Sequence, residues 1–469
     1  VIKGFLTNFF GIFSSRILGF IRDLLTASIL GANIYSDIFF IAFKFPNLFR
    51  RIFAEGAFTQ AFLPTFANSS AKPKLAFKVL VILGGAILGL SLLVVIFRRE
   101  VADLLAIGLP EEWKAETAPL VAINFWYLEL IFLVTFFATL LQYKNHFLVS
   151  AFSPALLNIA LISALLISRN LPPKEIVYYL SYGVILGGVA QLIAHLIVAH
   201  RLKILKLLCI GAKSRKKVEL TPFFRHFFPA VWGNSTAQLS AFVDTWLATF
   251  LGAGGVSYLY YANRLFQLPF ALFVIALSTA LFPKITRALN GGNREEGEKI
   301  LIKSFWFLMA LLLFATLIGI VDALPIVKLL FERGAFTATD SQTTANLLYF
   351  YLLGLLPFGV AKLFTSYLYA THRHREVAKI STLSLGANIL FSLLLIFPFG
   401  LVGLPLATTL GGVLLLFASF YLLPPHLKRE ILTYWKGWLW VIGAGGLGIG
   451  VAYALPPLFH LFRHLIGNF

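Results

Sequence analysis

Apolar runs of 18 or more residues recur from one end of this sequence to the other, and that feature dictates the kind of chain it is. Inside a bilayer every backbone N–H and C=O has to be satisfied within the crossing structure, so such runs fold as helices. A membrane barrel would show alternating segments of about ten residues instead, and none is visible. With 59% hydrophobic and only 13% charged residues, the chain falls outside the range of soluble globular domains. The expected fold is an all-α polytopic membrane protein. We read about thirteen spans, at roughly 5–31, 35–66, 77–97, 119–142, 148–168, 176–199, 225–251, 257–283, 302–322, 343–368, 378–398, 401–423 and 436–456. The first is long and lacks a small-residue cleavage site, so it is expected to be a span and not a cleaved leader. The single cysteine, Cys209, excludes an intrachain disulfide framework and a multi-cysteine metal site.

The formal net charge is +19, and its placement decides what it means. The stretch "RLKILKLLCIGAKSRKKVELTPFFRH" after span six is densely basic, and the loops after spans two, four, eight, ten and twelve are basic too. The loops after spans seven ("LGAGGVS") and eleven ("FPFGLV") carry no charge. The positive-inside rule then puts the N-terminus in the cytoplasm. The excess charge is expected to report topology and affinity for anionic membrane lipids, with no nucleic acid partner.

The chain also repeats itself. "RDLLTASILGANIYSDIFF" from Arg22 matches "VDTWLATFLGAGGVSYLYY" from Val243 at a constant shift of 221 residues. Asp23 pairs with Asp244, Leu30-Gly31-Ala32 with Leu251-Gly252-Ala253, and Ser36 with Ser257. Six spans separate the copies, so both halves face the same way, an arrangement used by transporters that bind substrate between halves. The expected organisation is an N-terminal lobe at roughly 1–200, a basic cytoplasmic linker at 201–224, a C-terminal lobe at 225–423, and an additional C-terminal helix in 424–469. The two six-helix lobes are expected to be pseudo-symmetric around a central cavity.

Ionisable groups at membrane depth cost about 2.5–3.5 kcal/mol or more on insertion scales, so they face a cavity or a partner. Span one holds Arg16, Arg22 and Asp23; span two holds Asp37, Lys44, Arg50, Arg51 and Glu55; span eight adds Arg264. At about 100° per residue, Asp37, Lys44, Arg51 and Glu55 share one stripe and Arg50 lies off it. Pro46 interrupts that register, so the arithmetic alone does not choose between Arg50 and Arg51. Excess guanidinium in a low-dielectric cavity calls for an anionic ligand, and its bidentate fork suits phosphate oxygens.

Three stretches carry a resemblance: "SSRILGFIRD", "DIFFIAFKFPNLFRRIFAEGAFTQAFLPTF" and "YYANRLFQLPF". Together they resemble the MurJ (MviN) lipid II flippases of the multidrug/oligosaccharidyl-lipid/polysaccharide exporter superfamily, over nearly the whole chain. The resemblance implies movement of undecaprenyl-pyrophosphate-linked peptidoglycan precursor from the inner to the outer leaflet of the bacterial cytoplasmic membrane. It implies alternating access driven by membrane potential or an ion gradient. By motif it implies that Arg16, Arg22, Arg50 and Arg264 meet the pyrophosphate or head group, with Asp37 functional as well. Members carry an acid where Asn263 stands, so the cavity is expected to be still more positive here. The family has fourteen spans, and the last is expected to be absent or truncated in this chain. A sodium site in the family implies Asp244, Asn388, Ser392 and Thr408 as oxygen ligands; as plain residues they equally suit interhelical hydrogen bonds.

No Walker motif and no HExxH pair is present, so direct use of ATP and a histidine metal site are not expected. The chain is expected to be a carrier, to act as a monomer, and to need no cofactor beyond a coupling ion such as Na⁺. The alternatives are a carrier of another polyprenyl-linked glycan, a drug exporter, or a membrane-embedded polyprenyl-phosphate enzyme using Asp37 or Glu55.

Overall fold

A computed structural model describes the backbone of residues 2–51, 57–291 and 293–466, and the side chains outside 2–10, 12, 232–234, 236–237, 279, 290 and 456–466. The described residues form helices and turns and no strand. They group into two compact units, Val1–Val256 and Ser257–Phe469.

The first unit contains α1 (Ile2–Leu30), α2 (Ile34–Phe49), α3 (Thr59–Asn68), α4 (Lys72–Ile96), α5 (Arg98–Leu105), α6 (Glu111–Tyr143), α7 (Leu148–Ser168), α8 (Pro173–Arg201), α9 (Ile204–Lys213) and α10 (Thr221–Ala248). Around α6 pack α2, α3, α4, α5 and α8, while α1 packs on α7. The core between α3, α4 and α6 is aromatic: Phe58, Phe62, Phe66, Phe132 and Phe136 are buried against one another and against Phe223. The second unit continues with α11 (Gly255–Pro269), α12 (Ala276–Asn290), α13 (Arg294–Val321), α14 (Ala323–Phe331), α15 (Ala338–Leu353), α16 (Leu355–Ala370), α17 (His374–Phe399), α18 (Gly403–Tyr421), α19 (Pro425–Thr433) and α20 (Trp435–Ile466). Here α13 packs on α20 and α16, and α17 on α18.

Helix fills the expected spans where the backbone is described, apart from a turn at Gly354 and a residue or two at some span ends, and nine helical segments among the described residues are long and apolar enough to cross a membrane. Three details depart from the sequence reading. Pro46 sits inside α2, and the register loosens only after it, in a wider π-type turn at Arg50–Arg51. The basic stretch after α8 is partly ordered as α9, whose Ile204 and Leu208 are buried in the core shared with α4. The fit is close: a Cβ on Gly211 would run into the Pro73 carbonyl oxygen. Third, α20 runs on to Ile466, past the end expected for the last span.

The sequence repeat has a backbone counterpart. Gly31 (φ 75°) ends α1 and Gly252 (φ 90°) ends the short helical turn after α10, so both copies stop their first helix with a left-handed glycine. The repeat partners Ser36 and Ser257 are both fully buried, as are Asp23 and Asp244 nearly so. Because an L side chain in this region costs about 1–2 kcal/mol, Gly31→Ala and Gly252→Ala should each lower stability by that amount, read as a fall in the detergent-solubilised melting temperature. The two units divide after Val256, and α10, the opening helix of the second sequence copy, packs on α2 and α3 within the first unit.

Candidate functional site

Residues seven apart on a helix return to nearly the same face, and the stripe Asp37–Lys44–Arg51 obeys this. All three side chains reach α10 or the loop that follows it. The fully buried Asp37 accepts the Gly254 N–H through Oδ2 at 2.6 Å. Lys44 Nζ donates to the Ala241 carbonyl at 2.6 Å and to the Thr245 hydroxyl. Arg51 Nη1 donates to Gln238 Oε1 at 3.1 Å. The three anchors step down α10 as α2 ascends, forming a polar seam between antiparallel helices. Glu55, the fourth residue of the expected stripe, lies outside the described residues.

Beside this seam the first unit holds an open cavity of about 700 Å³. Arg16 of α1 and Arg51 stand on it, facing Thr59 of α3, Thr139 and Gln142 of α6, and Ser150 of α7. Among the described residues no acid lines it. The N-terminus of α7, which has no side-chain cap, also borders it through Phe147 and Ser150 and adds positive potential. Arg50 instead turns back along its own helix, with Nε donating to Asn47 Oδ1 at 3.0 Å. Of the adjacent pair, Arg51 is the one in the lining of this cavity.

Arg22 is placed differently. Its Nη2 pairs with Asp23 Oδ1 at 2.7 Å and its Nη1 donates to Asn158 Oδ1 at 3.0 Å. Asn158 in turn donates to the Ser15 carbonyl at 3.1 Å, so the group ties α1 to α7 and takes up Arg22 charge locally. Gly11 is what lets α7 come near, since a Cβ there would sit 2.7 Å from the Ala151 backbone and Cβ. The cavity thus combines two guanidiniums with a neutral hydrogen-bonding wall. Sequence reasoning centred on charge missed that wall. The signal for it was the run Thr135, Thr139, Gln142 in span four, whose spacing puts three polar groups on one side of an apolar helix.

In the second unit, Arg264 lies over the ring of Tyr260 with 5.1 Å to the centroid, and its Nε and Nη2 donate to the Tyr260 hydroxyl at 3.3 and 3.2 Å. Asn263, in the position of the family's acid, accepts a hydrogen bond from Gln267. The segment "FERGAFTATD" at 331–340 closes over α11: Phe331 and Phe336 pack on Tyr261, and Asp340 accepts from the Tyr258 hydroxyl at 2.7 Å while capping α15. Asn388 donates to Thr408 Oγ1 at 3.3 Å, with Ser392 fully buried one turn further along α17. Asp244 is buried on α10 in the first unit. Among the described residues no group of three or more His, Cys, Asp or Glu is placed to hold a metal ion.

A duplicated helical chain with charged seams and a guanidinium-lined cavity at membrane depth defines a multi-pass carrier, which transports rather than transforms its substrate. The solved structures it resembles are of that class. One, titled a lipid II flippase MurJ in an inward closed conformation, superposes with a TM-score of 0.78 over 99% of this chain and 100% of that one, at 24% identity. Another, an inward-facing multidrug resistance MATE family transporter of the MOP superfamily, gives 0.69 over 90% of this chain and 96% of that one, at 12% identity. Both likenesses establish the fold. Sequence carries the rest: the family profile described as lipid II flippase MurJ matches residues 26–464. A Helicobacter pylori (strain ATCC 700392 / 26695) protein named "Probable lipid II flippase MurJ" is 47% identical over 430 residues, covering 89% of this chain and 93% of its own. A Haemophilus influenzae protein of the same name is 31% identical over 472 residues, covering 95% and 91%. The chain belongs to the MurJ lipid II flippase family.

Proposed function

We propose that this chain moves lipid II, the undecaprenyl-pyrophosphate-linked peptidoglycan precursor, from the inner to the outer leaflet of the bacterial cytoplasmic membrane by alternating access. The carrying observation is the cavity with Arg16 and Arg51 on it beside a neutral polar wall, with no acid among the described lining residues. A pyrophosphate carries negative charge that two guanidinium forks can meet with charge-assisted hydrogen bonds. The sugars and peptide need neutral donors and acceptors, which Thr59, Thr139, Gln142 and Ser150 supply. Arg22, Arg264, Asp37 and Lys44 support the same cycle from other positions, Asp37 and Lys44 by holding the seam to α10.

The orientation that fits is an N-terminus in the cytoplasm, with the basic α9 stretch against anionic lipid. A monomer suffices, since the first unit builds its cavity from one chain. Membrane potential or an ion gradient resets the carrier. For Na⁺ the donor set in the second unit is weak: one amide and two hydroxyls, two of them already bonded to each other. Those three residues serve better to join α17 to α18, and replacing Na⁺ by choline in proteoliposomes should leave translocation unchanged.

Depletion of the resident flippase in a bacterium tests the function. Growth should be restored by the wild-type chain, and failure of a well-expressed, membrane-inserted protein to restore it contradicts the assignment.

A further inference from the structure

Glu129 stands near the midpoint of α6, in the otherwise apolar stretch "WYLELIF". Its Oε2 is buried and has no hydrogen-bond partner among the described residues. It lies in a crease between α6 and α4. A Cβ on Gly84 would meet Glu129 Oε1 at 3.8 Å and the Phe132 ring at 3.5 Å, while Gly85 and Gly89 have nothing within 4 Å of the same point. An acid is therefore held at membrane depth between an aromatic floor and an open glycine strip.

Several charged groups on the helices packed against α6 are engaged elsewhere. On α2, Asp37 and Lys44 bond to Gly254 and Ala241. On α4, Lys78 donates to the Val218 carbonyl; on α5, Arg99 pairs with Asp103. On α8, His195 bonds to the Gln191 carbonyl and Ser150, and Lys174 pairs with Glu116. The α8 tyrosines Tyr178, Tyr179 and Tyr182 border a separate cavity, and α3 has no titratable side chain. No cation among the described residues pairs with Glu129. An unpaired carboxylate at this depth is costly, whereas a carboxylic acid is tolerated. For packing alone a leucine would serve better.

We propose that Glu129 is a proton-binding site of the transport cycle, loaded from water on the outer side of the membrane and emptied to water on the inner side. The proposal rests on the reading of the chain as a flippase and supplies its coupling ion. The step is a simple transfer: a proton adds to one carboxylate oxygen, neutralising it, and later leaves from that oxygen to inner water, with no other bond changed. Loading favours the state in which the side chain is enclosed, and release requires a state in which it is wetted, so the gradient biases one conformation over the other.

The test uses full-length protein in proteoliposomes, with wild type beside the isosteric Glu129→Gln. A gradient of one pH unit changes the loading ratio of a one-proton site by about tenfold. Wild-type translocation of lipid II should respond on that scale, and Glu129→Gln should bind lipid II normally but lose the response. Infrared difference spectra should show a protonated-carboxyl band at neutral pH that the variant lacks. An unchanged gradient response in Glu129→Gln, or spectra identical in the two proteins, overturns the proposal. If neither protein translocates lipid II under any gradient, the flippase reading fails, and the carboxyl band alone then decides the proton site. Glu129→Leu, melting at or above the wild-type temperature, should support a role in coupling over one in folding; marked destabilisation would count against it.

Discussion

Arg16→Ala and Arg51→Ala should each weaken binding of an undecaprenyl-pyrophosphate lipid by about ten- to a hundredfold. Each change removes one charge-assisted contact to phosphate, worth about 1.5–3 kcal/mol. The affinity can be read by native mass spectrometry of the detergent-solubilised protein. Both arginines border the same cavity, and no acid among its described lining residues offsets them. Arg16→Lys should recover only part of the loss, because an ammonium keeps the charge but not the bidentate fork. Arg50→Ala is the internal control, since Arg50 bonds to Asn47 of its own helix. If Arg50→Ala costs as much as Arg51→Ala, the placement of the pyrophosphate between Arg16 and Arg51 is wrong.

The second large effect is expected at the seam. The Gly254 amide is the donor to Asp37, so it reports directly on that bond. A buried hydrogen bond to a charged group contributes about 1.5–3 kcal/mol, and its loss should raise the local opening population correspondingly. Asp37→Ala should thus accelerate hydrogen exchange at Gly254 by about ten- to a hundredfold. Amides in the α13–α20 packing of the second unit should be unaffected. Lys44→Met should loosen α10 near Ala241 and Thr245 in the same way, to a smaller degree at Gly254. Unchanged exchange at Gly254 in Asp37→Ala would show that the loop after α10 is held by something else.

The fold was legible because its two strongest signals are physical necessities. Long apolar runs have to be helices in a bilayer, and a left-handed turn after Leu30 and Leu251 needs the glycine that both copies contain. The heptad stripe of α2 was legible for the same reason, since spacing alone places Asp37, Lys44 and Arg51 on one face. What that face meets was not legible, because tertiary contact has no local signature: the stripe zips onto α10 rather than standing open. Arg22 shows the same limit. Its adjacency to Asp23 is plain in the sequence, but Asn158, far along the chain, is what fixes the pair between α1 and α7. The neutral wall of the cavity was the hardest part to see, because threonines and serines in apolar helices commonly bond to their own backbone, as Thr139 does to the Thr135 carbonyl. Only the fold brings Thr59 within 3.0 Å of Thr139, across two helices.

Translocation of a fluorescent lipid II analogue in proteoliposomes tests the central claim most directly, with analogue in the outer leaflet quenched by an impermeant reagent. Wild-type protein should expose the inner-leaflet pool to quenching, and a folded Arg16→Ala/Arg51→Ala double variant should leave that pool protected. Translocation by the double variant at the wild-type rate, or none by the wild type under any imposed gradient, would contradict the account.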